Sequence, residues 1–152
     1  MAFNLTSPAF TAGKPIPPDF SCKGRNISPA LAWTGAPAGT ASFALIVDDP
    51  DAPAGLWVHW VLYNIPATST GLREDVPPQP TLPDGTIQGR NTSGHQYYDG
   101  PCPPSGTHRY FFKLFALDTT LNLSPGATAD QLTKAIQGHI LAQGELMGTF
   151  SK

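Results

Sequence analysis

Nine consecutive residues near the middle of the chain, Trp57–Ile65 (WVHWVLYNI), limit the fold more than any other stretch. Read as a strand, they place Trp57, His59, Val61, Tyr63 and Ile65 on one face and Val58, Trp60 and Leu62 on the other. Both faces are largely apolar, which predicts a central strand covered by protein on each side. A second β-rich run, Ser42–Asp49 (SFALIVDD), stops at Pro50, and only seven residues, Pro50–Leu56, separate the two. That spacing predicts a hairpin.

The other elements are read around this pair. Residues Met1–Ser7 are expected as a short edge strand with Phe3 and Leu5 on one face. Pro8 to Ser28 is too rich in proline and polar residues for a helix and reads as an irregular arm. Short strands are expected at Ala30–Thr34 and Thr86–Asn91, with a long proline-rich connection between Ala67 and Pro83. Thr107–Asp118 reads as a core strand, with His108, Tyr110, Phe112 and Leu114 on one face and Arg109, Phe111, Lys113 and Phe115 on the other. One helix is predicted. Thr128 and Gln131 match a capping box, Leu132, Ile136 and Ile140 form an apolar stripe, Gly138 weakens the middle and Gly144 stops it. Glu145–Phe150 is expected to return as a last strand. The sum is one domain, 1–152, mainly β, a sandwich or barrel rather than a βαβ fold.

Composition excludes several classes of function. Charged residues make up 13% of the chain, the net charge is −2, and no basic cluster is present, which argues against nucleic-acid binding. No run is long and apolar enough to span a membrane, and MAFNLTSPAF lacks the pattern of a signal peptide, so a cytoplasmic location is expected. The Asn-x-Ser/Thr sequons at Asn4, Asn26, Asn91 and Asn122 are then chance matches. Cys22 and Cys102 are expected as free thiols in that compartment. A bridge between them would close a loop of about 80 residues and stabilise the fold, provided the Cα atoms came close enough.

Candidate chemistry gathers in three places. Asp48-Asp49-Pro50-Asp51-Ala52-Pro53 is a rigid acidic corner at a strand end, or simply a solvated turn. His59 lies at the start of the next strand, where Asp49 would come within reach to bond it and fix its tautomer; the alternative is a satisfied core histidine. His108 begins its own strand and reaches the same end if that strand runs parallel to Trp57–Ile65. Before it lies GPCPPSGT, in which Gly100, Cys102, Ser105, Gly106 and Thr107 carry backbone N–H groups and the glycine admits a ligand close to the chain. With the Tyr110 hydroxyl, these groups suggest a pocket for a phosphate, a phosphomonoester or a carboxylate.

Other chemistry fits the same residues less well. Cys102 with a histidine would make a thiol nucleophile and base, yet it sits between prolines without a helix N-terminus to activate it. Zinc would need His59, His108, Cys102 and Asp49 without any close-spaced ligand pair. His95 and His139 read as a loop and a helix-face residue without partners.

Taken in order, DPDAP (49–53), the strand histidine His59 and GPCPPSGTHRY (100–110) resemble the phosphatidylethanolamine-binding protein family, also called the Raf kinase inhibitor proteins. SPALAWTGAP and HWVLYNIP make its bacterial and archaeal branch the nearer match, and the resemblance runs from about Phe3 to Phe150. It implies a sandwich of two antiparallel sheets with one main helix near the C-terminus, long Pro-rich loops, and an anion pocket at one end. Asp49, His59, Gly100, Pro103, Pro104, His108 and Tyr110 would line that pocket, with Cys102 as a lining thiol. Members hold phosphate, phosphoethanolamine-like head groups or acetate there, and act by binding rather than by an agreed reaction. Eukaryotic relatives modulate kinases and proteases, and prokaryotic ones are often dimeric. Val58 stands where the eukaryotic proteins have a second histidine, which bears on kinase recognition. The expectation is a binding protein without metal or cofactor, taking a small phosphorylated or carboxylated ligand, with a kinase or protease as partner and a homodimer as its assembly. The rival is a small hydrolase or transferase using Cys102 or a pocket histidine.

Overall fold

The centre of the molecule is the strand Ser42–Asp49, all eight residues of which are buried. The computed structural model describes residues 2–152, so Met1 of the expected edge strand lies outside it. In chain order the elements are β1 (Asn4–Thr6), β2 (Leu31–Thr34), β3 (Ser42–Asp49), β4 (Trp57–Pro66), β5 (Gly71–Leu72), β6 (Ile87–Gln88), β7 (Thr107–Leu117), α1 (Ala129–Ile136) and β8 (Ile140–Ser151). Two antiparallel sheets result, one ordered β1-β2-β5 and the other β6-β4-β3-β7-β8. The expected sandwich with one helix is therefore the observed architecture. Among the described residues no helix is long and apolar enough to cross a membrane.

Two apolar layers hold it together. Between the sheets, Leu5, Leu31 and Trp33 pack against Phe43, Leu45, Trp60, Leu62, Phe112 and Leu114. On the outer face of the large sheet, Ala44, Ile46, Val61, Tyr63 and Phe115 are covered by Leu132 and Ile136 of α1. A sheet covered on both sides accounts for the near-continuous apolar runs in β3 and β4.

Strict alternation in β4 fails twice, because two bulges each insert one residue opposite β3. Phe43 faces Ile65 and Leu45 faces Leu62, so three steps of β4 match two of β3. Asn64 takes up the extra residue with φ 55°, and its side-chain amide bonds both the N–H and the carbonyl of Leu121. Ile65 thereby joins Trp60 and Leu62 in the inter-sheet layer instead of siding with Tyr63. The second bulge lies between Val47↔Trp60 and Asp48↔Val58 and falls on His59. Val58 packs with the outer layer, whereas His59 meets Tyr110 edge-on with ring centroids 5.3 Å apart.

The helix is shorter than the apolar stripe predicts. Its capping box forms as expected, with Gln131 N–H donating to Thr128 Oγ1 and Thr128 N–H to Gln131 Oε1. It ends at Ile136, however, and Gly138 with φ 80° completes a turn closed by His139 N–H to the Ile136 carbonyl at 2.9 Å. A positive φ at the third residue is the signature of a type II turn. Ile140 then opens β8, opposite Leu117, and Gly144 lies inside that strand instead of ending a helix. Gly138→Ala tests the difference: a mid-helix glycine would gain stability, whereas this one should lose about 1 kcal/mol in chemical denaturation because alanine resists the left-handed conformation.

Candidate functional site

Because β3 is antiparallel to both β4 and β7, those two strands run in the same direction. The end of β3 thus meets the beginnings of β4 and β7, bringing Asp49, His59, His108 and Tyr110 to one end of the sandwich. They line a cavity of about 390 Å³ together with the loop residues Gly100, Cys102, Pro103 and Pro104. All eight residues that the family resemblance assigns to the pocket line this one space, whereas Ser105, Gly106 and Thr107, also read as offering N–H groups to an anion, do not. Asn26, Trp57 and Asp99 also line it and were not foreseen.

Hydrogen bonding differs from expectation, first at Asp49. Asp49 pairs with His108, its Oδ2 accepting from Nδ1 at 2.7 Å, rather than with His59. Its Oδ1 accepts the Asp51 N–H at 2.7 Å, so both carboxylate oxygens are engaged although the residue is only 3% exposed. His59 Nδ1 instead donates to the Asp99 carbonyl at 2.7 Å. A carbonyl can only accept, so that bond puts the ring proton on Nδ1 and leaves Nε2 as the free end. Burial holds the His59 pKa below its ordinary value, with the Asp99 bond and the Asp49 charge opposing. Burial likewise pushes the Tyr110 hydroxyl up, reinforced by the charges of Asp49 and Asp51.

Asp99 is fixed in turn. Asn91 Nδ2 bonds its Oδ2 at 2.9 Å and the His59 carbonyl at 3.0 Å. His95, read from sequence as having no partner, bonds the same Asp99 oxygen at 2.7 Å and stacks on Tyr97. His139 likewise has a partner, Asp118 at 2.8 Å, far from the pocket in sequence and on the helix side. At the rim Asp51 takes Arg109 by its backbone N–H, Nε and Nη2, and these bonds lower its pKa to about 2.

The irregular arm closes the loop side. Cys22 and Cys102 form a disulfide with Cα atoms 5.5 Å apart, which overturns the expectation of two free thiols. Around it Cys22 N–H donates to the Pro101 carbonyl, Tyr98 Oη to the Phe20 carbonyl, and Gly100 N–H to Asn26 Oδ1. Gly100 is therefore not presenting its N–H to a ligand. A Cβ there would sit 2.1 Å from the Phe20 carbonyl oxygen, so the glycine is required by the arm. Nothing in the spacing of two cysteines 80 residues apart announces this clasp.

These features define a β-sandwich with a histidine-lined pocket at one end. The sequence matches the phosphatidylethanolamine-binding protein family over residues 6–151, and the chain belongs to that family. A UPF0098 protein of Methanothermobacter thermautotrophicus is 52% identical over 149 residues, covering 98% of this chain and 99% of the relative. The crystal structure of a phosphatidylethanolamine-binding protein homologue from Chlamydia trachomatis superposes with a TM-score of 0.92 at 44% identity, covering 99% and 98% of the two chains. That of E. coli YbcL, described as a new member of the mammalian family, gives 0.92 at 35% identity over 100% and 99%.

The clasp has a direct chemical test. Thiol titration of the unfolded, unreduced protein should find no free thiol, and two after reduction. Cys102→Ser should lower stability by about 2–4 kcal/mol, the usual worth of a bridge closing a long loop. Two reactive thiols before reduction would contradict the assignment.

Proposed function

We propose that the chain is a binding protein for a small oxyanion, a phosphate, a phosphomonoester such as phosphoethanolamine, or a carboxylate, held between His59, His108 and Tyr110. The observation that carries this reading is the fixed state of the two histidines. Each has its Nδ1 bonded to an immobile acceptor, Asp49 or the Asp99 carbonyl. The opposite ring nitrogen of each is left for whatever enters the cavity. When His108 is doubly protonated, Asp49 complements its charge and Nε2–H becomes a charge-assisted donor.

The disulfide favours binding over the thiol chemistry of the rival reading, because a bridged Cys102 has no thiolate to offer. Modulation of a kinase or protease and assembly as a homodimer enter the proposal through membership of the family. Cytoplasmic residence is also part of it, and requires a bridge that resists the glutathione pool.

Calorimetric titration of phosphate and phosphoethanolamine into the wild type and His108→Ala tests the site. Loss of a charge-assisted donor should weaken binding by about tenfold or more. Equal affinity in the two proteins would remove His108 from the site.

A further inference from the structure

The loop that forms one wall of the pocket is held at two ends and at one point between. Cys22 N–H donates to the Pro101 carbonyl at 3.1 Å, and Lys152 N–H donates to the Gly106 carbonyl at 3.0 Å. Among the described residues, no hydrogen bond joins residues 102–105 to the rest of the protein. Cys102, Pro103 and Pro104 of that span line the cavity. The bridge from Cys102 to Cys22 is therefore the one specific tie on this part of the wall.

The tie is open to reagents. Both half-cystines are exposed, and both line the cavity with Asp49, His59, His108 and Tyr110. Exposed bridges are the labile and regulatory ones, whereas structural bridges resist reduction. Opening this one would not release the whole arm. Phe10, Ile16 and Phe20 belong to the inter-sheet core, and Gly13 and Ile16 donate their N–H groups to the Met147 and Thr149 carbonyls of β8 at 2.7 Å. Freedom would be gained by residues 102–105 and by the exposed stretch 22–25.

Resting on the binding role just given, we propose that the Cys22–Cys102 bridge is a redox latch on the pocket, which holds the wall in its ligand-binding shape until a dithiol reductant opens it. In the step, a thiolate of the dithiol attacks one bridge sulfur and expels the other as a thiolate, which takes up a proton. The second thiol of the reductant then displaces the mixed disulfide. The reductant leaves as a disulfide, and the protein has gained two electrons and two protons. A dithiol suits this bridge better than a monothiol pool, because its second thiol is tethered and resolves the mixed disulfide before the protein can close again. Latch and ligand are coupled in both directions. Whatever factor reduction takes from ligand affinity, bound ligand returns to the stability of the bridge.

Calorimetric titration of inorganic phosphate and of acetate into the oxidised and the dithiothreitol-reduced protein tests the latch, with near-ultraviolet circular dichroism to follow the fold. Reduction should weaken both ligands about tenfold or more, a fraction of the cost of ordering four residues on binding. Cys22→Ser, which opens the bridge without a reductant, should bind as the reduced wild type does. In mixtures of reduced and oxidised dithiothreitol, phosphate that saturates both forms should raise the ratio needed for half-reduction by the same factor.

Equal affinity of the folded oxidised and reduced proteins, or wild-type affinity in folded Cys22→Ser, would overturn the latch and leave the binding role standing. So would a bridge that excess dithiothreitol leaves intact in the folded protein. A reduced protein that loses its tertiary structure would make the bridge a plain staple, and would overturn the latch too. If neither anion binds the oxidised protein, the binding role itself falls, and this inference with it.

Discussion

A buried carboxylate cannot stand alone, and Asp49 is the group whose satisfaction orders this end of the sandwich. It lies at the last position of β3, where one oxygen takes the Asp51 N–H and the other takes His108. The first bond turns the chain into the DPDAP corner, and Asp51 in turn holds Arg109 beside the start of β7. The second fixes the orientation of an imidazole on a strand two positions from β4 in the same sheet. One acidic residue thus ties a turn, a strand and a pocket wall into a single hydrogen-bonded unit. The pocket is a consequence of finding partners for that charge.

The other wall depends on a defect in regular pairing. An unbulged β4 would place His59 with Val61 and Tyr63, under α1 and away from Tyr110. The extra residue opposite Val47 and Asp48 brings the imidazole to the pocket side, where the Asp99 carbonyl receives it. Asp99 is itself secured by Asn91 and His95, so the tautomer of His59 rests on residues well outside the strand. The disulfide and the Gly100–Asn26 bond then press the N-terminal arm against the loop that carries Asp99. Stiffness on the loop side comes from the arm, and on the strand side from Asp49.

What could be read from the sequence followed the range of the interactions involved. The strands β3, β4 and β7 have side-chain patterns set by burial alone, so their existence was legible, and so was the common end of Asp49, His59 and His108. The start of α1 was legible because a capping box is a local exchange between Thr128 and Gln131. Its end was not, since Ile140 continues the helical stripe while actually facing Leu117 across a sheet. The bulges at His59 and Asn64 exist only in register with β3, and a single strand contains no record of its partner's spacing. The bridge from Cys22 to Cys102 and the contact of Gly100 with Phe20 join segments about 80 residues apart, with no periodicity to link them. Which histidine bonds Asp49 is not legible for a related reason: two imidazoles at one strand end are equivalent until side-chain directions are known.

The pocket depends on which nitrogen of each histidine carries its hydrogen. A long-range ¹H–¹⁵N correlation spectrum of the imidazoles of the free protein near neutral pH reads this directly. His59 should be neutral with its hydrogen on Nδ1, and His108 should hold a hydrogen on Nδ1 whether or not Nε2 is also protonated. A His59 protonated on Nε2, or a His108 with a bare Nδ1, would break the bonds to Asp99 and Asp49 on which the pocket is built.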